Sequence, residues 1–165
     1  MPQCAFRLAV LGSLIALAAP AWAHGPTPAA QQSSALPASA RSAAATVDAF
    51  HAALRRGDTK AASALLTDNA LIFEAGGVER SKAEYAAHHL AADAAFSQAV
   101  PSTVTRRGGD SDGTVAWIAS EGRITGTYKG KAVDRVTAET IVLRRVGRAW
   151  RIVHIHWSSR VPKAD

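Results

Sequence analysis

The chain has 165 residues, a formal net charge of +6 and one cysteine, with 48% hydrophobic and 19% charged residues. This length accommodates one domain with a substantial core and excludes two catalytic domains. The low content of Cys, Pro and Gly excludes a disulfide scaffold, a collagen and a low-complexity polymer.

The first 23 residues have the pattern of a secretory signal peptide. Arg7 precedes an apolar segment at 8–19, and Ala21-Trp22-Ala23 provides a small-x-small cleavage site. The apolar segment is shorter than the roughly 20 residues that a membrane-spanning helix needs, so we expect no stable membrane anchor. We predict cleavage after Ala23 and a periplasmic or secreted protein. Cys4 would leave with the signal peptide, which excludes a thiol mechanism in the mature chain.

The remaining chain divides into a linker, one domain and a short tail. Residues 24–44 are rich in Ala, Pro, Gln and Ser without periodic apolar positions, which predicts a flexible linker. The predicted domain covers residues 45–160, and residues 161–165 form the tail. Val47, Phe50 and Leu54 recur at helical spacing and indicate the first helix of the domain.

Two more helices are predicted from capping residues. Asp58 can cap a short helix that ends near Leu66. Ser81 and Glu84 form a capping box that starts a third helix, which runs to about Gln98. The stripe along this helix contains Tyr85, His88, His89, Ala92 and Phe96. Because adjacent helical residues diverge by about 100°, we expect one of the two histidines to face inward and the other to face solvent.

The second half of the chain reads as strands separated by turns. Predicted strands are 70–73, 103–106, 114–128, 132–146 and 150–159, with turns at 76–77, 108–113, 129–130 and 147–148. Helices collected before an antiparallel meander predict an α+β domain, in which the helices cover one face of a curved sheet.

The last hairpin resembles that of a known superfamily. Glu139-Thr140 and the Trp150-x-Ile-Val-His-x-His-x-Ser158 segment are similar to the C-terminal hairpin of the nuclear transport factor 2-like superfamily. Within it, the chain most resembles SnoaL-like proteins and the association domain of calcium/calmodulin-dependent protein kinase II. The resemblance implies a cystatin-like roll: a cone-shaped, strongly bent antiparallel sheet wrapped around three N-terminal helices. It also implies a pocket between sheet and helices, and a homodimer.

The chain departs from the family in residues that matter for ligands. Alignment on the quoted segments places Ala119, Ile141 and Trp157 where the kinase association domain has three cavity arginines. The resemblance therefore implies a more apolar cavity than in that domain. The Tyr and Asp arrangement that ketosteroid isomerases use for proton transfer is not found in the sequence.

Strand alternation selects the residues that would line the pocket. If Trp157 points into the cone, so do Val153 and Ile155, while Ile152, His154 and His156 face the other way and would form the dimer surface. The same rule, applied to the two preceding strands and combined with the third helix, gives the predicted ligand pocket: Tyr85, Trp117, Ala119, Glu139, Ile141 and Trp157. In an alternative interpretation these residues are simply core, with Glu139 paired to an arginine.

Three kinds of activity stay open for such a pocket. The first is binding of a small, largely apolar molecule, for which apolar walls with few polar groups are typical. The second is an isomerase, dehydratase or cyclase that uses Glu139 or Glu121 as general acid or base, with Tyr85, His88 or His89 as partner. The third is a dimeric scaffold with a filled cavity.

Metal ions and nucleic acids are not predicted as partners. His154 and His156 lie two apart on one strand face, and His24 would follow the cleavage site with its free α-amine. A metal site needs three or more converging ligands, so these histidines are the candidates if one exists, and we predict no metal or cofactor. The positive residues are scattered over helix ends and turns without a recognition motif, which predicts a solvated basic surface and no nucleic-acid binding.

Overall fold

The computed structural model describes residues 36–163. The predicted signal peptide, His24 and the linker up to residue 35 lie outside the described residues. The linker prediction is wrong over its last part, because a 3-10 helix spans Ala38–Ala40 and α1 spans Arg41–Arg55. Ala43 and Ala44 are buried in the core. Alanine has the highest helix propensity, and its small side chain lets α1 approach the sheet closely.

Three further helices follow α1. They are α2 at Thr59–Ala64, α3 at Lys82–His88 and α4 at Leu90–Ala99. The Asp58 side chain caps α2 as predicted, accepting a hydrogen bond from the Ala61 amide at 2.9 Å. Ser81 caps α3, accepting from the Glu84 amide at 3.0 Å.

The predicted third helix is broken into α3 and α4 at His89, where φ is −119°. Tyr85 and Leu90 are both buried, although five residues on a continuous helix turn the side chain by about 140°. The break therefore lets both residues reach the core. It also changes where the two histidines between them point.

Six strands form a single sheet. They are β1 Leu66–Glu74, β2 Gly77–Glu79, β3 Ser102–Ser111, β4 Val115–Tyr128, β5 Lys131–Val146 and β6 Ala149–Arg160. The sheet order is β2-β1-β6-β5-β4-β3. All neighbours are antiparallel except β1 and β6, which run parallel. The α+β prediction is confirmed, but β2 and the parallel pair were not predicted, and residues 108–111 belong to β3 and not to a turn.

Helix α1 packs against the concave face of the sheet and forms the core there. Phe50 on α1 is fully buried together with Ile118, Ile141 and Ile155 from the three central strands. Trp150 Nε1 donates a hydrogen bond to Ser42 Oγ at 2.9 Å, which connects β6 to the start of α1. Among residues 36–163, no helix has the length and apolarity needed to cross a membrane.

The predicted orientation of β4 is wrong by one residue. Ala116, Ile118 and Ser120 face the core, whereas Trp117 is 47% exposed on the convex face. Ala119 and Glu121 share the convex face with Trp117. Both faces of this strand carry apolar residues, so alternation does not show which face points to the core. The close approach of α1 favours the small side chains on the inner face.

Strand β6 contains a register shift that the sequence did not indicate. Val142 pairs with His154 and Leu143 pairs with Ile152, so Val153 is the extra residue of a β-bulge. Ile152 is consequently 0% exposed, inside the core. The prediction that Ile152 shares the outward face of the sheet with His154 and His156 is therefore wrong.

Candidate functional site

One row of paired residues crosses the concave face of the sheet. Arg107 on β3 pairs with Ser120 on β4, and Ser120 pairs with Glu139 on β5. Glu139 pairs with Trp157 on β6, and Trp157 pairs with Glu74 on β1. The strand register thus aligns four polar side chains and one indole in a line beneath the helices.

The centre of this row contains a histidine–carboxylate pair. His51 Nε2 on α1 lies 2.8 Å from Glu139 Oε2. Trp157 Nε1 donates a hydrogen bond to the same oxygen at 2.7 Å. The Trp157 ring stacks on Phe50, with 6.3 Å between ring centroids, which fixes the indole orientation. Glu139 is therefore held by two donors from two different elements.

The hydrogen bonds keep Glu139 ionised. Burial alone would raise the pKa of this carboxyl, but the bonds from His51 and Trp157 and the nearby charge of Arg107 outweigh it and lower the pKa. Arg107 itself is fixed, since its Nη1 donates to Asp48 Oδ1 at 2.7 Å and its Nε donates to Ser120 Oγ at 3.2 Å. Asp48 and His51 lie three residues apart on α1 and so face the sheet together.

A second group of acids lies beyond Trp157. Tyr85 Oη donates to Asp93 Oδ2 at 2.7 Å, and Glu74 follows in the cross-strand row. Burial, then the neighbouring carboxylate Asp93, raises the pKa of Glu74. Burial also raises the pKa of Asp93, with Glu79 adding to the effect. This end of the row therefore holds protons more tightly than free carboxyl groups do. The sequence did not reveal this tyrosine–aspartate pair.

The residues of the row, with His51, Asp48 and Asp93, line an open cavity of about 890 Å³. Apolar walls are provided by residues of α1, of α4 and the position after it, and of β3, β4 and β5: Leu54, Phe96, Val100, Val104, Ile124 and Val133. Arg55, Arg107 and Arg135 also line the cavity. The cavity therefore carries arginines at positions other than Ala119, Ile141 and Trp157, the three aligned ones, and is less apolar than the resemblance implied.

The structure brings together only part of the predicted pocket. Glu139 and Trp157 line the cavity, whereas Tyr85 and Ile141 are fully buried beneath it. Trp117 and Ala119 are on the convex face, outside the cavity. Glu121 borders the cavity, but its side chain is 62% exposed and lies 3.9 Å from Arg106, outside the His51–Glu139 pair.

Of the histidines singled out from the sequence, His156 borders the cavity, whereas His88, His89 and His154 lie outside its lining. His88 and His89 both face Glu79, against the expectation that they diverge, because the helix break at His89 turns the second imidazole back. His154 and His156 flank Phe73, with their ring centroids 6.5 Å apart. Within residues 36–163, neither of these two joins a cluster of three metal-binding side chains.

His51 is the site residue that the sequence analysis overlooked. It sits within the apolar stripe of α1, between Phe50 and Leu54. A polar side chain at a position otherwise typical of core is the signal that could have found it. Its carboxylate partner, Glu139, is 88 positions away in the sequence. The two residues meet only because β5 pairs with β4 and β6 in the folded sheet.

Comparisons with known proteins identify the family. The SnoaL-like domain family matches residues 43–162. The chain belongs to this family. No curated protein matches the chain.

Solved structures agree with this SnoaL-like, nuclear transport factor 2-like assignment. A ketosteroid isomerase-like protein from Shewanella frigidimarina is 38% identical, with a TM-score of 0.70, over 75% of this chain and 100% of that chain. A protein from Xanthomonas campestris, similar to the association domain of calcium/calmodulin-dependent protein kinase II, is 25% identical, with a TM-score of 0.64, over 76% and 92%. A nuclear transport factor 2-like protein with a cystatin-like fold from Novosphingobium aromaticivorans is 17% identical, with a TM-score of 0.60, over 72% and 80%.

Proposed function

We propose that this SnoaL-like protein binds a small, largely apolar molecule in the cavity and moves a proton on it, as an isomerase or dehydratase does. The observation that carries the proposal is the 2.8 Å contact between His51 Nε2 and Glu139 Oε2 at the cavity wall. A carboxylate that accepts a hydrogen bond from one imidazole nitrogen orients the ring and stabilises the imidazolium after proton uptake.

In this arrangement His51 is the proton acceptor. The Nε2–H donates to Glu139, which leaves the lone pair of neutral imidazole on Nδ1. Glu139 stays ionised and does not itself take the substrate proton. Trp157 and the apolar side chains around it would supply the binding surface, because a flat indole and few polar groups suit a small apolar ring system.

The other end of the row would supply an acid. Asp93 and Glu74 have raised pKa values and line the same cavity as His51. A raised pKa lets a carboxyl group hold a proton that it can donate as a general acid. The ketosteroid isomerase-like relative at 38% identity supports the same reaction class.

Hydrogen–deuterium exchange tests the proposal without a known substrate. The protein is incubated in D2O with a panel of cyclic ketones that includes 5-androstene-3,17-dione, and deuterium incorporation next to the carbonyl is followed by NMR. We expect exchange above the buffer rate for at least one ketone, and its loss in His51→Ala and Glu139→Gln. His154→Ala, a histidine on the convex face, is the matched control and should exchange as the unchanged protein does.

Binding without catalysis is the second candidate, favoured by the size of the cavity. A fluorescent apolar probe such as 1-anilinonaphthalene-8-sulfonate would then bind, and its binding would weaken in Trp157→Ala, while no ketone exchanged. That outcome would refute the catalytic part of the proposal. If the probe did not bind and no ketone exchanged, the result would favour a scaffold.

We also propose that the protein is exported and acts as a homodimer. The pattern of residues 1–23 supports export, and N-terminal sequencing of the protein recovered from the periplasm or medium should begin at His24. A mass of one chain in light scattering at micromolar concentration would contradict the dimer.

A further inference from the structure

A cluster of two glutamates and two histidines lies outside the cavity lining. Glu79 ends the short edge strand β2, and Glu84 and His88 belong to α3. His89 stands at the break between α3 and α4. Glu79 is 6% exposed, one of the few buried charged residues in the described part of the chain. Such burial of a carboxylate needs partners that compensate its charge.

The fold makes these side chains converge. Glu84 and His88 are four residues apart on α3, so they lie one above the other on the same face. The break at His89 turns the next imidazole to the same carboxylate. Consequently His88 Nδ1 faces Glu79 Oε2 and His89 Nδ1 faces Glu79 Oε1, one imidazole for each carboxylate oxygen.

The spacing of His88 and Glu79 fits a shared ion better than a direct bond. His88 Nδ1 and Glu79 Oε2 are 3.4 Å apart, longer than the 2.7–3.2 Å or so of a typical N–H···O hydrogen bond. A tetrahedral ion with ligand bonds of about 2.0–2.1 Å holds its ligand atoms roughly 3.3–3.4 Å apart. Ligand atoms of Glu79, Glu84 and His88 all lie within 4.8 Å of one another.

We propose that Glu79, Glu84 and His88 bind a divalent transition-metal ion, of which Zn²⁺ is the representative. One imidazole and two carboxylates without sulfur suit such an ion. Glu84 Oε2 accepts a hydrogen bond from the Arg80 amide at 2.7 Å, which leaves its other oxygen for the ion. His89 acts as a positioning residue, because it holds the second oxygen of Glu79 and so orients that carboxylate.

The ion would connect the edge strand to the helix. Strand β2 has three residues and pairs only with β1 among the strands, so a bond between Glu79 and α3 would restrain it. An ion that binds the folded chain and not the unfolded one raises the melting temperature, and the increase grows with the logarithm of the ion concentration once it exceeds Kd. The proposal does not involve His51 or Glu139, and its outcome is therefore independent of the proposed enzymatic function.

The test uses the full chain after removal of metals with a chelator. Zn²⁺ is titrated by calorimetry, Co²⁺ is titrated by visible absorbance, and the melting temperature is measured with and without Zn²⁺. We expect saturable binding of one ion per chain, visible Co²⁺ bands and a higher melting temperature. His88→Ala and Glu84→Gln should each weaken binding by at least about tenfold. His89→Ala should weaken it less than His88→Ala does.

Controls separate this site from other histidines and from misfolding. The His154→Ala/His156→Ala double variant, which removes the convex histidine pair, should bind as the unchanged chain does. His88 is 59% exposed and Glu84→Gln keeps an oxygen for the Arg80 amide, so both variants should retain the native circular dichroism spectrum. Absence of saturable binding, or binding that His88→Ala and Glu84→Gln leave unchanged, overturns the proposal.

Discussion

The replacement Glu139→Gln tests whether the charge of Glu139 contributes to the stability of the fold. His51 and Trp157 both contact Oε2, the same oxygen. A glutamine amide that places its carbonyl oxygen there can accept both hydrogen bonds. The variant therefore removes the charge of the acceptor and leaves the contacts and the side-chain volume nearly unchanged.

The magnitude follows from the two contacts. A hydrogen bond to a charged group contributes about 1.5–3 kcal/mol and a neutral one about 0.5–1.5 kcal/mol. Two bonds that each lose about 1 kcal/mol give a decrease of roughly 2 kcal/mol in the free energy of unfolding at pH 7. We take the lower end because the His51 side chain is 27% exposed and water can replace part of the interaction.

The effect should depend on pH in one direction. The pKa of Glu139 in the folded chain is below its ordinary value of 4.5. The stabilisation is therefore fully present above about pH 4.5, the value in the unfolded chain, and is lost as the pH falls through the lower folded value. The difference between the unchanged protein and Glu139→Gln should shrink in the same range, since glutamine does not titrate.

Urea unfolding, followed by circular dichroism at equal protein concentration, measures the difference. With a slope of about 1–3 kcal/mol per molar urea, a 2 kcal/mol loss shifts the midpoint by about 1 M. Glu121→Gln, on the convex face of the adjacent strand, is the matched control and should change stability by less than about 0.5 kcal/mol. Equal stability of Glu139→Gln and the unchanged protein at pH 7, or a difference that persists at low pH, would refute the reasoning.

Three further predictions concern the fold. Ile141→Ala should lower the free energy of unfolding by about 2–5 kcal/mol, because the side chain is fully buried, whereas Trp117→Ala on the convex face should have a much smaller effect in the same urea titration. Gly122→Ala should destabilise the chain by about 1–3 kcal/mol, since a Cβ would lie 2.6 Å from the Thr103 carbonyl oxygen; an unchanged melting temperature would contradict this. Asp112→Ala should lower the urea midpoint, because Asp112 Oδ1 accepts three hydrogen bonds, two from Thr114 and one from the amide of Val115, where β4 begins. These bonds lower the pKa of Asp112 to about 2, so the difference should persist through mild acid and disappear only as the pH approaches that value.

The general architecture was accessible from the sequence because its signals are local. The capping residues Asp58 and Ser81 act within three positions of themselves, and the Gly-containing turns separate the long strands of the meander. The break at His89 was not accessible, because Ala86, Ala87 and residues 90–92 are good helix formers and no Gly or Pro interrupts them. It results from the need to bury Tyr85 and Leu90 together, which is a property of the folded core.

The site was harder to predict than the fold because it depends on which residues of each strand face the core. Glu139 and Trp157 were identified because the family resemblance placed Trp157 at a cavity position and the alternation of side chains along the strands was then applied to β6 and β5. Trp117 was misplaced because its strand is apolar on both faces, so a shift of one residue moves every side chain to the other face. The bulge at Val153 had the same effect on Ile152. His51 was missed because it belongs to a helix and meets Glu139 only in three dimensions.

The row across the sheet shows why the two ends of one cavity behave differently. Glu139 is buried, yet two donors and a nearby guanidinium lower its pKa. Glu74 lies in the same row, two strands away, but its charged neighbours include Asp93, and burial dominates. Because both carboxyl groups are on the same face of one sheet, burial alone cannot distinguish them. What distinguishes them is the number of donors that each receives, and α1, through His51, supplies the decisive one. A change on α1 should therefore alter the base and leave the acid end in place, so the two halves of the proposed chemistry can be separated by mutation.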